Sequence, residues 1–100
     1  MRLFVYGTLL GDRRLGSATP ATLNGWQRVG MRGMRYPTLR RQRSGAVSGA
    51  VVDVPARTLA WLIAYEGPTY RLMRVMVQTD GRKTAAFAWV AREATNRHWP

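Results

Sequence analysis

Only one stretch of this chain carries helical spacing, and it is closed at both ends. Pro55 suits the first turn of a helix, where its missing N–H costs nothing, and Gly67-Pro68 ends what Pro55 begins. Between them Leu59, Leu62, Ile63 and Glu66 fall at i, i+3, i+4 and i+7, which predicts one shared face of a helix over residues 56–65. The segments around this window are strand-length. Residues 2–6 are rich in β-formers and stop at Gly7, and residues 46–54 carry valines at 47, 51, 52 and 54. Residues 70–78 and 84–90 flank Asp80-Gly81, a strong two-residue hairpin signal. Residues 26–31 read as a further strand. Residues 11–20 read as polar and irregular, and residues 32–45, with Gly33, Pro37 and Arg40-Arg41-Gln42-Arg43, as an ordered loop. One helix among mainly antiparallel strands predicts an α+β fold: a small, partly closed β-barrel with one main helix.

A chain of 100 residues, 46% of them hydrophobic, suffices for a single domain over residues 1–100 with one core. There is no cysteine, which excludes thiol chemistry, disulfides and thiolate metal sites together. No apolar run reaches membrane length, and the run before Gly7 is too short for a signal-peptide core, so a soluble cytoplasmic protein with no membrane partner is expected. Sixteen Lys+Arg against five Asp+Glu give a net charge of +11, and Lys83 is the only lysine. Arginine pairs bidentately with phosphate, so the charge raises a nucleic-acid surface as one reading. The basic residues are scattered rather than blocked, which equally suits a compositional bias of the surface. Nucleic acid is therefore not the expected partner. With so few acids and one histidine, His98, in the tail, a metal site is not expected either.

Two motifs, in order, resemble the γ-glutamylcyclotransferase-like (AIG2-like) family. Phe4-Val5-Tyr6-Gly7-Thr8-Leu9-Leu10 is similar to that family's first strand and YG(S/T)L loop. Leu62-Ile63-Ala64-Tyr65-Glu66-Gly67-Pro68-Thr69-Tyr70-Arg71 is similar to its helix end, LDxxEGxxY, leading into a strand. Tyr36-Pro37-Thr38-Leu39 resembles a YPxL stretch common there, and Ser48-Gly49-Ala50-Val51 with Val54 resembles the strand before the helix. Ile63 departs from the pattern, standing where the family often has an acidic residue, and Gly11-Asp12-Arg13-Arg14 matches nothing specific.

The resemblance implies an intramolecular reaction. The α-amine of a γ-glutamyl group attacks its own γ-carbonyl, 5-oxoproline forms, and the remainder leaves as an amine. Such a reaction needs no metal or cofactor. It needs a base for the α-ammonium, a grip on the α-carboxylate and a donor for the developing oxyanion. In the resemblance Glu66 is the acid/base residue. Its position suits the role, because a helix C-terminus disfavours negative charge and a shared face with Leu59, Leu62 and Ile63 implies partial burial. Tyr6, Gly7, Thr8 and Leu9 are the candidate anion grip, since a strand ending at glycine can turn successive backbone N–H groups toward one point. Taken alone, the same segment is an ordinary tight turn. Tyr70 and Tyr36 are candidate substrate contacts, with packing in the barrel as the alternative for each. Trp26, Trp61, Phe87 and Trp89 are expected in the core or lining the barrel. Oligomeric state is not legible from these features. Beside the enzyme, which takes a small γ-glutamyl substrate, two other readings stand: a non-catalytic small-molecule-binding protein on the same fold, and a basic nucleic-acid-binding module.

Overall fold

The computed structural model describes residues 1–6, 18–29, 38–66 and 70–91, with Glu66 described in its backbone alone. The elements are β1 (Arg2–Val5), β2 (Ala18–Val29), β3 (Thr38–Asp53), α1 (Ala56–Glu66), β4 (Tyr70–Thr79) and β5 (Arg82–Ala91). The strands form a closed barrel in the order β1-β3-β2-β4-β5. This is the small α+β barrel with one main helix that the sequence predicts. Closure comes from a parallel contact between the first and last strands, with Leu3 opposite Phe87. Every other pairing is antiparallel.

Strict alternation sorts the side chains into two layers. Phe4, Tyr6, Leu23, Val47, Val75, Val77, Ala86 and Ala88 belong to one buried cluster, which fills the barrel. The residues between them, including Leu3, Val5, Val52 and Trp89, belong to a second cluster on the outside, where they pack with Leu62 of α1. Strand β1 is therefore buried on both faces. Its residues Leu3 and Phe4 are wholly inaccessible.

The helix begins as its sequence signals require: Leu59 N–H donates to the Pro55 carbonyl at 3.0 Å, closing the first turn. It buries a narrower face than the spacing suggests. Leu62 is fully buried and Leu59 half-buried, but Ile63 is 50% exposed. A helix lying on the convex outside of a barrel touches it along a thin stripe, and Ile63 falls off that stripe. Trp61 is half-buried against the same outer layer and stacks on Tyr65, one turn on, at 5.3 Å. No helix among the described residues is long and apolar enough to cross a membrane.

Two segments read as irregular are strand. Residues 18–20 open β2, and residues 38–45 belong to β3, which runs for 16 residues. Cross-strand pairing overrides their polar composition: Leu39, Arg40 and Arg41 stand opposite Arg28, Gln27 and Trp26. The ribbon is kinked between Asn24 and Trp26, where the register jumps from Ala46 to Arg41. The hairpin between β4 and β5 turns at Asp80 and Gly81 with φ of 51° and 75°, the left-handed pair that a tight two-residue loop requires.

Gly49 is where barrel closure allows no side chain. A β-carbon there would lie 2.3 Å from the Val5 carbonyl oxygen and 2.8 Å from the Phe4 ring. The Val5 oxygen is main chain and cannot swing aside. Gly49→Ala is expected to destabilise the fold by about 2 kcal/mol or more, at or above the middle of the range for overpacking. Urea unfolding measures this; a cost below about 0.5 kcal/mol would mean that β1 and β3 do not pack this closely.

Candidate active site

Five chain elements meet at one end of the barrel. The parallel contact of β1 with β5 brings their C-terminal ends to the same side. Tyr70, which opens β4, pairs with Ala91, which closes β5. The start of β3 reaches the same place, because the Ala91 N–H donates to Thr38 Oγ1 at 2.8 Å. Helix α1 ends at Glu66, four residues before Tyr70 along the chain. The topology therefore gathers Tyr6, Thr38, the helix end and Tyr70 at one rim.

Tyr6 stands just past β1, with its ring in the barrel interior 6.1 Å from that of Phe4. Its hydroxyl donates to the Trp89 carbonyl, a buried bond between the first and last strands. The hydroxyl thus braces the rim. Tyr70 is buried in the outer layer with Leu62, Val5 and Trp89. It packs against Leu62 of α1, as a packed aromatic. Gly7, Thr8, Leu9 and Tyr36 lie outside the described residues, as does His98. Of the tryptophans expected in the core, Trp26 and Trp89 are buried and Trp61 is half-buried; Phe87 is half-buried against the outer layer.

Thr38 was not singled out by sequence reasoning, although it is fully buried and ties β3 to β5. The available signal is its place in Tyr36-Pro37-Thr38-Leu39: a threonine directly after proline opens a strand with a hydroxyl able to accept where proline cannot donate.

With this geometry in place, comparison with known proteins is decisive. The model of the family "Gamma-glutamyl cyclotransferase, AIG2-like" matches residues 3–100. The chain belongs to that family. A gamma-glutamyl cyclotransferase of known structure superimposes with a TM-score of 0.78 at 21% identity, over 94% of this chain and 68% of that one, a likeness of fold. A protein from Arabidopsis thaliana, known from a solution structure, is 27% identical over 95% of this chain and 70% of its own, with a TM-score of 0.77. A second Arabidopsis thaliana protein is 28% identical over 90% of this chain and 61% of its own, also with a TM-score of 0.77. No curated protein matches the chain significantly. Each of these three structures is longer than this chain, and the match spans about two thirds of their length.

The two rim bonds can be tested separately. Thr38→Val keeps the shape but leaves the Ala91 N–H buried without an acceptor, and Tyr6→Phe removes the donor to Trp89. Each is expected to cost about 1–3 kcal/mol, the penalty for orphaning a buried polar group. Chemical denaturation of both variants measures it; a neutral result for both would mean that the rim is not held by these bonds.

Proposed function

We propose that this protein is a γ-glutamylcyclotransferase that releases 5-oxoproline from a γ-glutamyl amine or γ-glutamyl peptide, with Glu66 as general acid/base. The observation that carries the reading is the meeting, at one barrel rim, of the end of β1 and the end of α1, the two elements that lead into the family's two motifs. In the proposed cycle Glu66 takes a proton from the α-ammonium. The freed amine attacks the γ-carbonyl, the new C–N bond closes a five-membered ring, and charge collects on the carbonyl oxygen. Backbone N–H groups of the loop Tyr6-Gly7-Thr8-Leu9 hold the anionic part of the substrate. As the tetrahedral centre collapses, the original C–N bond breaks and Glu66 returns its proton to the departing nitrogen; the second proton of the attacking nitrogen passes to the freed amine, which leaves as an ammonium ion beside the neutral lactam.

Geometry supplies much of the acceleration in such a reaction, because nucleophile and electrophile belong to one molecule and need only be held in the ring-closing conformation. A rim built from rigid strand ends and a helix end suits that task. Tyr70 and Tyr36 are proposed as contacts to the bound substrate. Tyr6 contributes by fixing the entry of the loop through its bond to Trp89.

Glu66→Gln keeps size and removes the basic oxygen. It is expected to fold, to bind 5-oxoproline, and to lose about a hundred- to ten-thousand-fold in turnover. Gly7→Val is expected to raise KM more than it lowers kcat, since a side chain there keeps the ligand off the main chain. The assay is release of 5-oxoproline from a panel of γ-glutamyl amines and dipeptides. Equal turnover by the parent and Glu66→Gln would remove Glu66 from the mechanism. No turnover and no binding across the panel would remove the enzyme reading.

A further inference from the structure

The wall of the barrel opens at one seam. Among the described residues β2 and β4 share a single ladder pair, Thr22 with Gln78. Two side-chain bonds reinforce that point: Asn24 Nδ2 donates to Gln78 Oε1 at 3.2 Å, and Thr79 Oγ1 donates to the Pro20 carbonyl at 3.1 Å. Beyond it, toward Val29 and Tyr70, the strands have no further ladder pair. There a groove of about 490 Å³ opens, lined by Asn24, Trp26, Arg41, Arg74, Val75 and Met76. That volume lies in the range of small-molecule sites.

The lining has a definite chemistry. Arg41 and Arg74 come from two different strands, and among the described residues no acidic side chain lines the groove with them. The Arg41 guanidinium lies over the Trp26 ring, 5.0 Å from its centroid. Stacking of this kind fixes the plane of the guanidinium while its N–H edge still points outward for bidentate donation. Trp26 is itself buried, so the platform is rigid. Asn24 adds an amide, and Met76, on the same face of β4 as Arg74, adds an apolar side chain that is 52% exposed although nothing polar recommends it to water. Two like charges sharing one groove repel each other unless an anion lies between them.

We propose that this groove binds the anionic group, carboxylate or phosphate, of a small organic molecule, gripped by Arg41 and Arg74, with Met76 against its apolar part. The same chemistry has two possible sources: the amine half of a γ-glutamyl substrate, or a separate small anion. The groove lies on the seam that leads toward the candidate active site. Arg74 is four residues along β4 from Tyr70, on the order of 13 Å at the rise of a strand.

The test is a titration of the parent protein with inorganic phosphate and with citrate, followed through the indole and arginine side-chain N–H resonances. Saturable shifts of Trp26, Arg41 and Arg74 are expected. Arg41→Gln and Arg74→Gln should each weaken binding by about ten-fold or more, the loss of a charge-assisted pair. Arg41→Lys should fall between, because it keeps the charge and loses the planar fork. Arg82→Gln at the distant hairpin removes the same charge and should change affinity by less than about two-fold. The source is read from turnover of a γ-glutamyl dipeptide and of its carboxamide. If the groove variants lower kcat/KM for the carboxylate form alone, the anion belongs to the substrate. If they weaken phosphate or citrate and leave that ratio unchanged, it is a separate ligand. Absence of saturable shifts in the parent, or an Arg82→Gln loss equal to that of Arg41→Gln, overturns the proposal. The titration needs no turnover, so its outcome is distinct from that of the cyclotransferase reading.

Discussion

Strand β1 is the element on which the structure depends. It is four residues long, yet it pairs with β3 on one side and meets β5 on the other, and it sends Phe4 into the barrel and Leu3 and Val5 toward the helix. Burial on both faces is usual for strands enclosed in α/β sheets and unusual for one so short. Here it is possible because the opposing strand gives way: Gly49 has no side chain, and the main chain of Val5 and the ring of Phe4 occupy the space. The chain start joins the same arrangement, since Met1 exchanges two main-chain bonds with Val54, the residue before Pro55 and the helix. Closing the barrel and seating the helix are thus one event.

The rim at the end of β1 follows from that closure. A parallel contact between the first and last strands brings two C-terminal ends to one side, and the β4–β5 hairpin then returns the start of β4 there as well. The bonds from Tyr6 to Trp89 and from Ala91 to Thr38 lock the rim across long sequence separations. A reaction that works by holding one flexible substrate in a cyclising conformation gains from a frame of this stiffness. The seam between β2 and β4 is the opposite case. It is pinned at Thr22 and Gln78 and open beyond, so the molecule is bonded across the rim and accessible along one wall.

Much of this was legible in the sequence, and the exceptions have physical causes. The helix was bounded by Pro55 and Gly67-Pro68, and the hairpin by Asp80-Gly81, because these residues act through their own backbone geometry. Residues 38–45 read as loop because Arg40, Arg41 and Arg43 are poor strand signals by composition; their strand state depends on partners in β2, which local sequence does not reveal. Ile63 read as buried because helical spacing gives direction and not the curvature of the surface the helix meets. The contact that joins the first strand to the last was also hidden, since it pairs residues 84 positions apart, Leu3 and Phe87. Of the candidate site, Tyr6, Glu66 and Tyr70 were legible through the two motifs. Thr38 and the stacked Arg41–Trp26 pair were not, because each is defined by what it meets across the barrel.

In the proposed reaction ring closure is intramolecular, with the substrate's own α-nitrogen as nucleophile. Isotope labelling tests this most directly. A γ-glutamyl substrate carrying ¹⁵N at the α-amine, turned over in H₂¹⁸O and followed by mass spectrometry, should yield 5-oxoproline that retains the ¹⁵N and gains no ¹⁸O, with an unlabelled amine released. Release of glutamate bearing ¹⁸O at its γ-carboxylate would show that water is the nucleophile, and would contradict the account.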